Sequence, residues 1–211
     1  LVVHLKLDET SGTTASNSGS GTDAATIYDD YGEPNEEPVG ADGLIGNAIL
    51  INGADSETYA FAVLDNYPKI KENGTVSLWL NTPGIDGESA VVMRNGSAIN
   101  IQTENQFQIT ISNNIDGELV LGCQISAGPN VINVVDTEAL AFDEWVHVAL
   151  TVDGGQLRLY KNGKLIGVTD YLDRINGSTE DWLAIGANLT LVQEEGEDPY
   201  FAMDEAYPQA F

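Results

Sequence analysis

The 211-residue chain carries 33 acidic residues against 8 basic ones, which gives a formal net charge of −25 at pH 7. Such a surface excludes nucleic-acid binding through phosphates, which needs clustered Lys and Arg, and it disfavours anionic membranes. The length suffices for one large domain with a substantial core, and no apolar run is long enough to span a membrane. Two explanations of the acids stay open, a solvated surface suited to salty or calcium-rich surroundings and carboxylates that hold divalent cations.

The chain contains one cysteine, Cys123, which excludes an internal disulfide and a thiolate metal site. Because it lies in an alternating apolar run, we interpret it as a small core residue. No basic-then-apolar signal segment opens the chain, so we expect one domain of a larger exported protein. Absence of disulfides in an exported protein favours a bacterial source.

The N-terminal part begins with an alternating pattern. Residues 1–7 alternate apolar and polar side chains and predict a first strand, which ends in Asp-Glu-Thr-Ser-Gly at residues 8–12. Residues 13–43 are rich in Gly, Ser, Asn and acids and predict a long loop. Residues 75–81 predict a strand with Val76, Leu78 and Leu80 on one face and Ser77 and Trp79 on the other.

Further short strands follow at regular spacing, separated by turn residues such as those at 94–96 and 114–117. They are predicted at residues 89–94, 98–102, 107–112 and 119–125. Many short strands with Gly and Asn turns, and no helical periodicity, indicate an all-β sandwich or jelly roll.

Residues 145–168 predict a three-stranded antiparallel meander. The first strand alternates from Val146 to Val152 and ends at Asp153-Gly-Gly. The second strand ends at Asn162-Gly163, which predicts a type I′ hairpin because both residues tolerate positive φ. A meander needs a second sheet to cover its apolar face.

These motifs resemble the laminin-G-like members of the concanavalin-A-like lectin and glucanase superfamily. The likeness rests on Trp-x-His-Val-Ala-x-Thr-x-Asp-Gly-Gly from Trp145, Leu-Tyr-x-Asn-Gly-Lys from Leu159, and the segments at 8–12, 46–55, 182–187 and 200–205. Ala202 departs from the usual Gly of the closing strand, and the segment after Glu205 is short. The resemblance implies an all-β, two-sheet antiparallel β-sandwich (jelly roll, concanavalin-A-like) over residues 1–211.

The resemblance also raises the question of catalysis, because the superfamily contains hydrolases and lyases. The hydrolase relatives carry Glu-x-Asp-x-(x)-Glu along one strand, which no segment here contains. The lyase relatives need an Arg-rich strand and a Gln-x-His strand, whereas only Arg94 and Arg158 lie in plausible strands. His4 and His147 are interpreted as residues of polar strand faces. We therefore expect a protein that is not an enzyme.

A structural calcium ion is expected from the acidic residues near both ends of the chain. If the first and last strands pair, as the resemblance implies, Asp8 and Asp204 approach each other beside the turn that holds Asp23. Calcium prefers carboxylate and carbonyl oxygens of this kind. The alternative is that these acids only cap turns. The acidic run at 194–198 is interpreted as a solvated loop.

Glycan recognition usually relies on exposed aromatic rings with a few polar groups beside them. Trp182 follows a polar loop and is expected to expose one face, and Tyr28 and Tyr31 stand in a polar segment. These three are the candidate ligand-binding residues, with plain packing as the alternative for each. Trp79 and Trp145 match core positions of the family pattern and are expected to be buried.

The sequence as a whole predicts a carbohydrate-binding, lectin-like module of a secreted or surface bacterial protein. The alternative is a structural or adhesive domain of a large extracellular adhesin that binds no sugar. Expected partners are a glycan or polysaccharide, or neighbouring extracellular domains, with neither nucleic acid nor membrane insertion. Like-charge repulsion predicts a monomer.

Overall fold

A computed structural model describes residues 1–21, 23–29, 33–35, 40–51, 61–82, 89–95, 106–177, 182–187, 189–192 and 200–203. Within these ranges the chain forms strands, and no helix there could cross a membrane. The strands are β1 (Thr14–Ala15), β2 (Ala25–Tyr28), β3 (Gly40–Asp42), β4 (Asn47–Ile49), β5 (Phe61–Leu64), β6 (Asn73–Leu80), β7 (Ser89–Asn95), β8 (Phe107–Asn113), β9 (Leu119–Ala127), β10 (Asn130–Val135), β11 (Val146–Asp153), β12 (Gln156–Lys161), β13 (Lys164–Asp170), β14 (Leu183–Ile185), β15 (Leu189–Val192) and β16 (Tyr200–Met203).

The strands form two principal antiparallel sheets. An eight-stranded sheet has the order β1-β2-β5-β14-β7-β8-β9-β10, and a four-stranded sheet has the order β13-β12-β11-β6. Two further hairpins join β3 to β4 and β15 to β16. The predicted antiparallel sandwich is confirmed.

Alternating side chains of both principal sheets fill one hydrophobic core. Ile109 and Leu121 of the large sheet and Leu150 and Leu159 of the small sheet are all 0% exposed, and they belong to one cluster. Strands β9 and β10 lie against β12 and β13. At Gly167 a Cβ atom would come within 2.6 Å of the Val134 side chain, so only glycine permits this close approach of the sheets.

The meander forms as the sequence predicts. Asn162 and Gly163 have φ values of 51° and 77°, which both lie in the left-handed region that a type I′ turn requires. Lys161 pairs with Lys164 across this two-residue loop. The turn therefore fixes the register where the β12–β13 pair begins, and the pairing shifts by one residue between Tyr160 and Leu159.

The N-terminal prediction is wrong in two respects. Residues 1–7 form no strand, and their regular pairing is limited to an isolated bridge between Leu5 and Asn17. Val3, Leu5 and Leu7 pack partly against the core while Leu1 is 87% exposed, so the segment is covered on one side but finds no continuous strand partner. Leu7 also has a φ of 56°, which does not fit a regular strand. The predicted loop at residues 13–43 instead contains β1, β2 and β3, because Ala25 and Ile27 are buried against the core.

The predicted strands around residues 75, 89, 107, 119, 182 and 200 are present as β6, β7, β8, β9, β14 and β16. The strand predicted at 98–102 lies outside the described residues. A second apolar cluster covers the opposite face of the large sheet and includes Phe61, Val63, Trp182, Ala184 and Leu189. The outward faces of the two sheets therefore differ, since that of the small sheet carries exposed side chains.

Candidate functional site

Three aromatic residues and one asparagine meet at one end of the four-stranded sheet. Strand β6 forms an edge of this sheet and pairs with β11, so that Trp79 lies directly opposite His147. Side chains directly opposite each other on an antiparallel pair are close neighbours. The two rings have their centroids 5.1 Å apart and are tilted by 59°.

Trp79 is exposed, which corrects the prediction that it is buried. Leu78 and Leu80 turn toward the core, and the alternation of β6 directs Trp79 to the outer face of the sheet. Half of its surface, 50%, remains accessible to solvent. The period-2 pattern of the sequence contained this signal, whereas the family pattern favoured the opposite conclusion.

Trp145 immediately precedes β11 and is half-buried, so it also departs from the predicted full burial. The loop before it is fixed to the end of β6, because the Asp143 amide donates to the Thr82 carbonyl at 2.9 Å. Asp143 has a φ of 55°, a left-handed conformation that Asp adopts more readily than most residues. This connection holds Trp145 beside the end of β6 that carries Trp79.

Asn162 completes the site from the hairpin between β12 and β13. Its Oδ1 accepts a hydrogen bond from the His147 amide at 2.9 Å, and its own amide donates to the His147 carbonyl at 2.8 Å. These bonds fasten the turn to β11. The Oδ1 atom is thereby used within the protein, which leaves the side-chain NH₂ group as the part of Asn162 suited to a ligand.

Trp79, Trp145, His147 and Asn162 line an open pocket of about 550 Å³. The pocket is broadly open to solvent, so it offers a surface for one side of a ligand and does not enclose it. Indole rings present flat apolar surfaces, and the imidazole and amide offer hydrogen-bonding groups beside them. The arrangement can hold a ligand that has both an apolar face and hydroxyl groups.

Comparison with known proteins bears on the identity of the chain. Residues 52–205 match the Laminin_G_3 model, described as the concanavalin A-like lectin/glucanases superfamily. The chain belongs to this laminin G-like family. No curated protein matches this laminin G-like domain.

Solved structures share its fold at low sequence identity. Domain 4 of AbnA, an extracellular arabinanase of Geobacillus stearothermophilus solved with arabinotriose, is 20% identical, with a TM-score of 0.59, covering 96% of this chain and 89% of that one. Botulinum neurotoxin type C, which depends on interaction with two ganglioside molecules to enter cells, is 12% identical, with a TM-score of 0.63 and coverage of 100% and 47%. Domains LG4-5 of the mouse laminin alpha1 chain are 13% identical, with a TM-score of 0.52 and coverage of 73% and 38%.

Of the three ligand residues predicted from sequence, the two that the structure describes, Trp182 and Tyr28, do not line this pocket of the laminin G-like domain. The predicted exposed face of Trp182 is wrong, since this residue is 4% exposed within the second apolar cluster. Tyr28 belongs to β2, and its half-buried ring stacks on Phe61 at 5.3 Å. Burial, assisted by the charge of Asp65, raises the pKa of Tyr28. Tyr31 lies outside the described residues, and the roles of both tyrosines stay predictions.

The predicted calcium ligands are only partly described. Asp8 is half-buried in the segment before β1, and Asp23 precedes β2, where its charge adds to burial in raising the pKa of Asp65. Among the residues that the structure describes, no three acidic, His or Cys side chains form a metal-binding group. Asp204 lies outside that part of the chain.

The Oε2 atom of Glu9 is a possible ligand for a cation in this region. Glu9, next to Asp8, accepts a hydrogen bond from the Ser16 amide through Oε1, whereas its Oε2 is buried and has no hydrogen-bond partner. A buried carboxylate oxygen is costly unless a donor or a cation satisfies it. Calcium therefore stays a prediction, and Glu9 joins Asp8 as a candidate oxygen donor.

Proposed function

We propose that this laminin G-like domain is a non-catalytic carbohydrate-binding module that holds a glycan against Trp79 and Trp145. The observation that carries the proposal is the half-exposed indole of Trp79 beside His147 in an open pocket. A half-exposed indole beside a second tryptophan and an imidazole offers the flat apolar surface on which a sugar ring can stack. The polar groups of His147 and Asn162 stand where sugar hydroxyls would need partners.

The comparisons support the same class of function. A domain of an arabinanase that was solved with arabinotriose shares the fold over nearly the whole chain. A toxin that interacts with gangliosides contains a similar region. Both ligands carry sugars, and we extend carbohydrate binding, not a particular sugar, to this chain.

The proposed setting is outside the cell, in a secreted or cell-surface bacterial protein. An extracellular bacterial enzyme is among the structures that share the fold, which supports this setting. A monomer fits the proposal, because a charge of −25 makes copies of the chain repel each other. Light scattering after size-exclusion chromatography measures the mass directly.

The decisive experiment is a glycan array followed by calorimetry on the best ligand, with wild type and Trp79→Ala. Trp side chains bury about 150–250 Å², so the half-exposed Trp79 offers roughly 100 Å² to a ligand. At ~25 cal/mol per Å², complete coverage would contribute at most about 2.5 kcal/mol. Because a sugar ring covers only part of the indole, we expect a loss of roughly five- to thirtyfold in affinity.

Val135→Ala is the matched control, since Val135 is also a strand residue, is 52% exposed and lies on the other sheet. It should bind as wild type does. Equal affinity of Trp79→Ala and wild type would exclude this pocket as the site. Absence of any glycan ligand on the array would favour the structural or adhesive function instead.

A further inference from the structure

We propose that the ligand is a neutral polysaccharide bound along its length, on a face that extends from the Trp79 pocket across the four-stranded sheet to Val168. This inference rests on the proposed function and adds the class of glycan and its mode of binding. The protein recognises the interior of the polysaccharide and not its end.

The extended face consists of the outward side chains of three successive rows that cross the sheet. Strand pairing places Trp79 beside His147, then Ser77, Ala149, Tyr160 and Leu165 in a second row, and Thr75, Thr151, Arg158 and Val168 in a third. Their neighbours along each strand, such as Leu150 and Leu159, are buried in the core. Alternation along β6, β11 and β12 puts their residues on one surface. On β13 a register shift opposite Leu159 and Tyr160 puts both Leu165 and Val168 on that surface, although they are three residues apart.

Apolar groups remain accessible along this surface beyond the pocket. Leu165 is 47% exposed and Val168 is 48% exposed, while Tyr160 between β11 and β13 is half-buried. The pocket itself opens broadly to solvent instead of enclosing a ligand. A site of this kind allows a polysaccharide to continue past the two tryptophans, whereas recognition of a polysaccharide end needs a closed wall.

The dimensions fit several consecutive sugar units. From Trp79 to Thr75 the strand advances four residues, or about 13 Å at roughly 3.3 Å per residue. Four strands are three spacings wide, or about 14 Å at ~4.8 Å each. The diagonal from Trp79 on β6 to Val168 on β13 is therefore longer than one sugar ring.

The charges of the face favour a neutral ligand. Among its ten residues, Arg158 is the only one with a permanent charge, and its guanidinium already donates to the carboxylate of Asp153 and the side-chain oxygen of Gln156. The remainder of the chain is strongly acidic. An anionic polysaccharide would meet repulsion without a free cation on the face to offset it.

The distribution of polar atoms distinguishes a polysaccharide from a protein partner. Hydroxyl groups of Ser77, Thr75 and Thr151 share the face with the exposed apolar side chains of Trp79, Leu165 and Val168. Sugars present a similar mixture of C–H faces and hydroxyl groups, whereas the centre of a protein interface is enriched in contiguous apolar area. We therefore assign the face to a polysaccharide.

The first test is affinity electrophoresis of the intact chain in gels that contain neutral polysaccharides (arabinan, xylan, mannan, β-glucan) or acidic ones (polygalacturonate, alginate). Retardation by at least one neutral polymer and by neither acidic polymer is expected. Retardation by an acidic polymer as strong as by the best neutral one would overturn the inference. A dimer in light scattering that Val168→Ser dissociates would also overturn it, because a second copy would then cover the face.

The second test is calorimetry with size-graded oligosaccharides cut from the best neutral polymer. Affinity should rise severalfold from disaccharide to hexasaccharide. Tyr160→Ala should remove most of this rise and leave disaccharide binding unchanged, while Tyr160→Phe, which keeps the ring, should behave as wild type. Thermal melts of both variants verify folding.

The outcomes separate the two proposals. If Trp79→Ala weakens all oligosaccharides and affinity does not depend on their length, the pocket binds sugar and the extended face is refuted. If reduction or blocking of the chain ends abolishes binding, recognition of the chain interior is refuted as well. If Trp79→Ala changes no affinity, the proposed function itself fails.

Discussion

Asn162 offers the sharpest test of how this site is built, because it has a role in both the turn and the pocket. Its φ of 51° requires a residue that tolerates the left-handed region, and its Oδ1 holds the His147 amide. Its NH₂ group is the proposed ligand donor. Substitution by Asp, Gly and Ala removes these contributions in different combinations.

The expected stabilities follow from that division. Asn162→Ala combines left-handed strain of about 1–2 kcal/mol with a lost hydrogen bond of about 1 kcal/mol, for a total of about 2–3 kcal/mol. In a domain of this size that lowers Tm by roughly 4–12 °C. Asn162→Gly loses the hydrogen bond without the strain, so about 1 kcal/mol is expected. Asn162→Asp keeps both the acceptor and the tolerance of positive φ, so its stability should be close to wild type.

Affinity for the glycan should not follow the order of stability. All three variants lack the NH₂ donor, so each should lose about 1 kcal/mol of binding free energy, or roughly a fivefold loss of affinity. Urea unfolding and calorimetry measure the two effects separately. Equal destabilisation by Ala and Gly would refute the strain of the turn, and an Asp variant that binds the glycan as wild type does would refute the donor role.

Three further predictions concern the core, the cysteine and calcium. Leu159→Ala, at 0% exposure, should cost about 2–5 kcal/mol in urea unfolding, against less than about 0.5 kcal/mol for exposed Thr75→Ala. Burial raises the pKa of the Cys123 thiol from 9.0 to about 12. The native protein should therefore resist alkylation at pH 8, and rapid labelling of native protein would contradict this. Because the unfolded thiol ionises more readily, the free energy of unfolding should fall as the pH rises above 9. Calcium should raise Tm by several degrees more than magnesium does, and Asp204→Ala should remove most of that shift; equal responses to both ions would exclude the site.

Sequence periodicity predicted the strands that are long and covered on one face. β11 alternates over eight residues, and β12 lies between two turns whose residues accept positive φ, so the turns mark its ends. The short strand β2 escaped prediction because only Ala25 and Ile27 mark its buried side. Residues 1–7 show the converse, since Val3, Leu5 and Leu7 pack partly against the core but the segment forms only an isolated bridge. Period alone does not show whether a segment has a neighbouring strand to pair with.

The candidate site was harder to predict from the sequence, because its residues depend on which sheet face is covered by another layer. Periodicity placed Trp79 on the face opposite Leu78, yet deciding which face meets solvent requires knowing the partner sheet. Trp182 illustrates the same difficulty, because the outer face of the large sheet is covered by a second apolar cluster while that of the small sheet is not. Asn162 was recognised for its turn, and only the register of β11 reveals that the turn reaches His147.

The negative charge of the protein affects which molecules can reach the exposed face of the four-stranded sheet. A sheet face with Trp79, Leu165 and Val168 each about half exposed would favour association of copies through apolar contact. A net charge of −25 opposes that association, because the acids elsewhere on the surface repel a second copy as it approaches. A neutral polysaccharide carries no charge for them to repel, so the same acids leave its approach unhindered. Under the proposed function, the acidic surface therefore disfavours association of copies of this chain and binding of anionic polymers, whereas uncharged sugar chains meet no such repulsion.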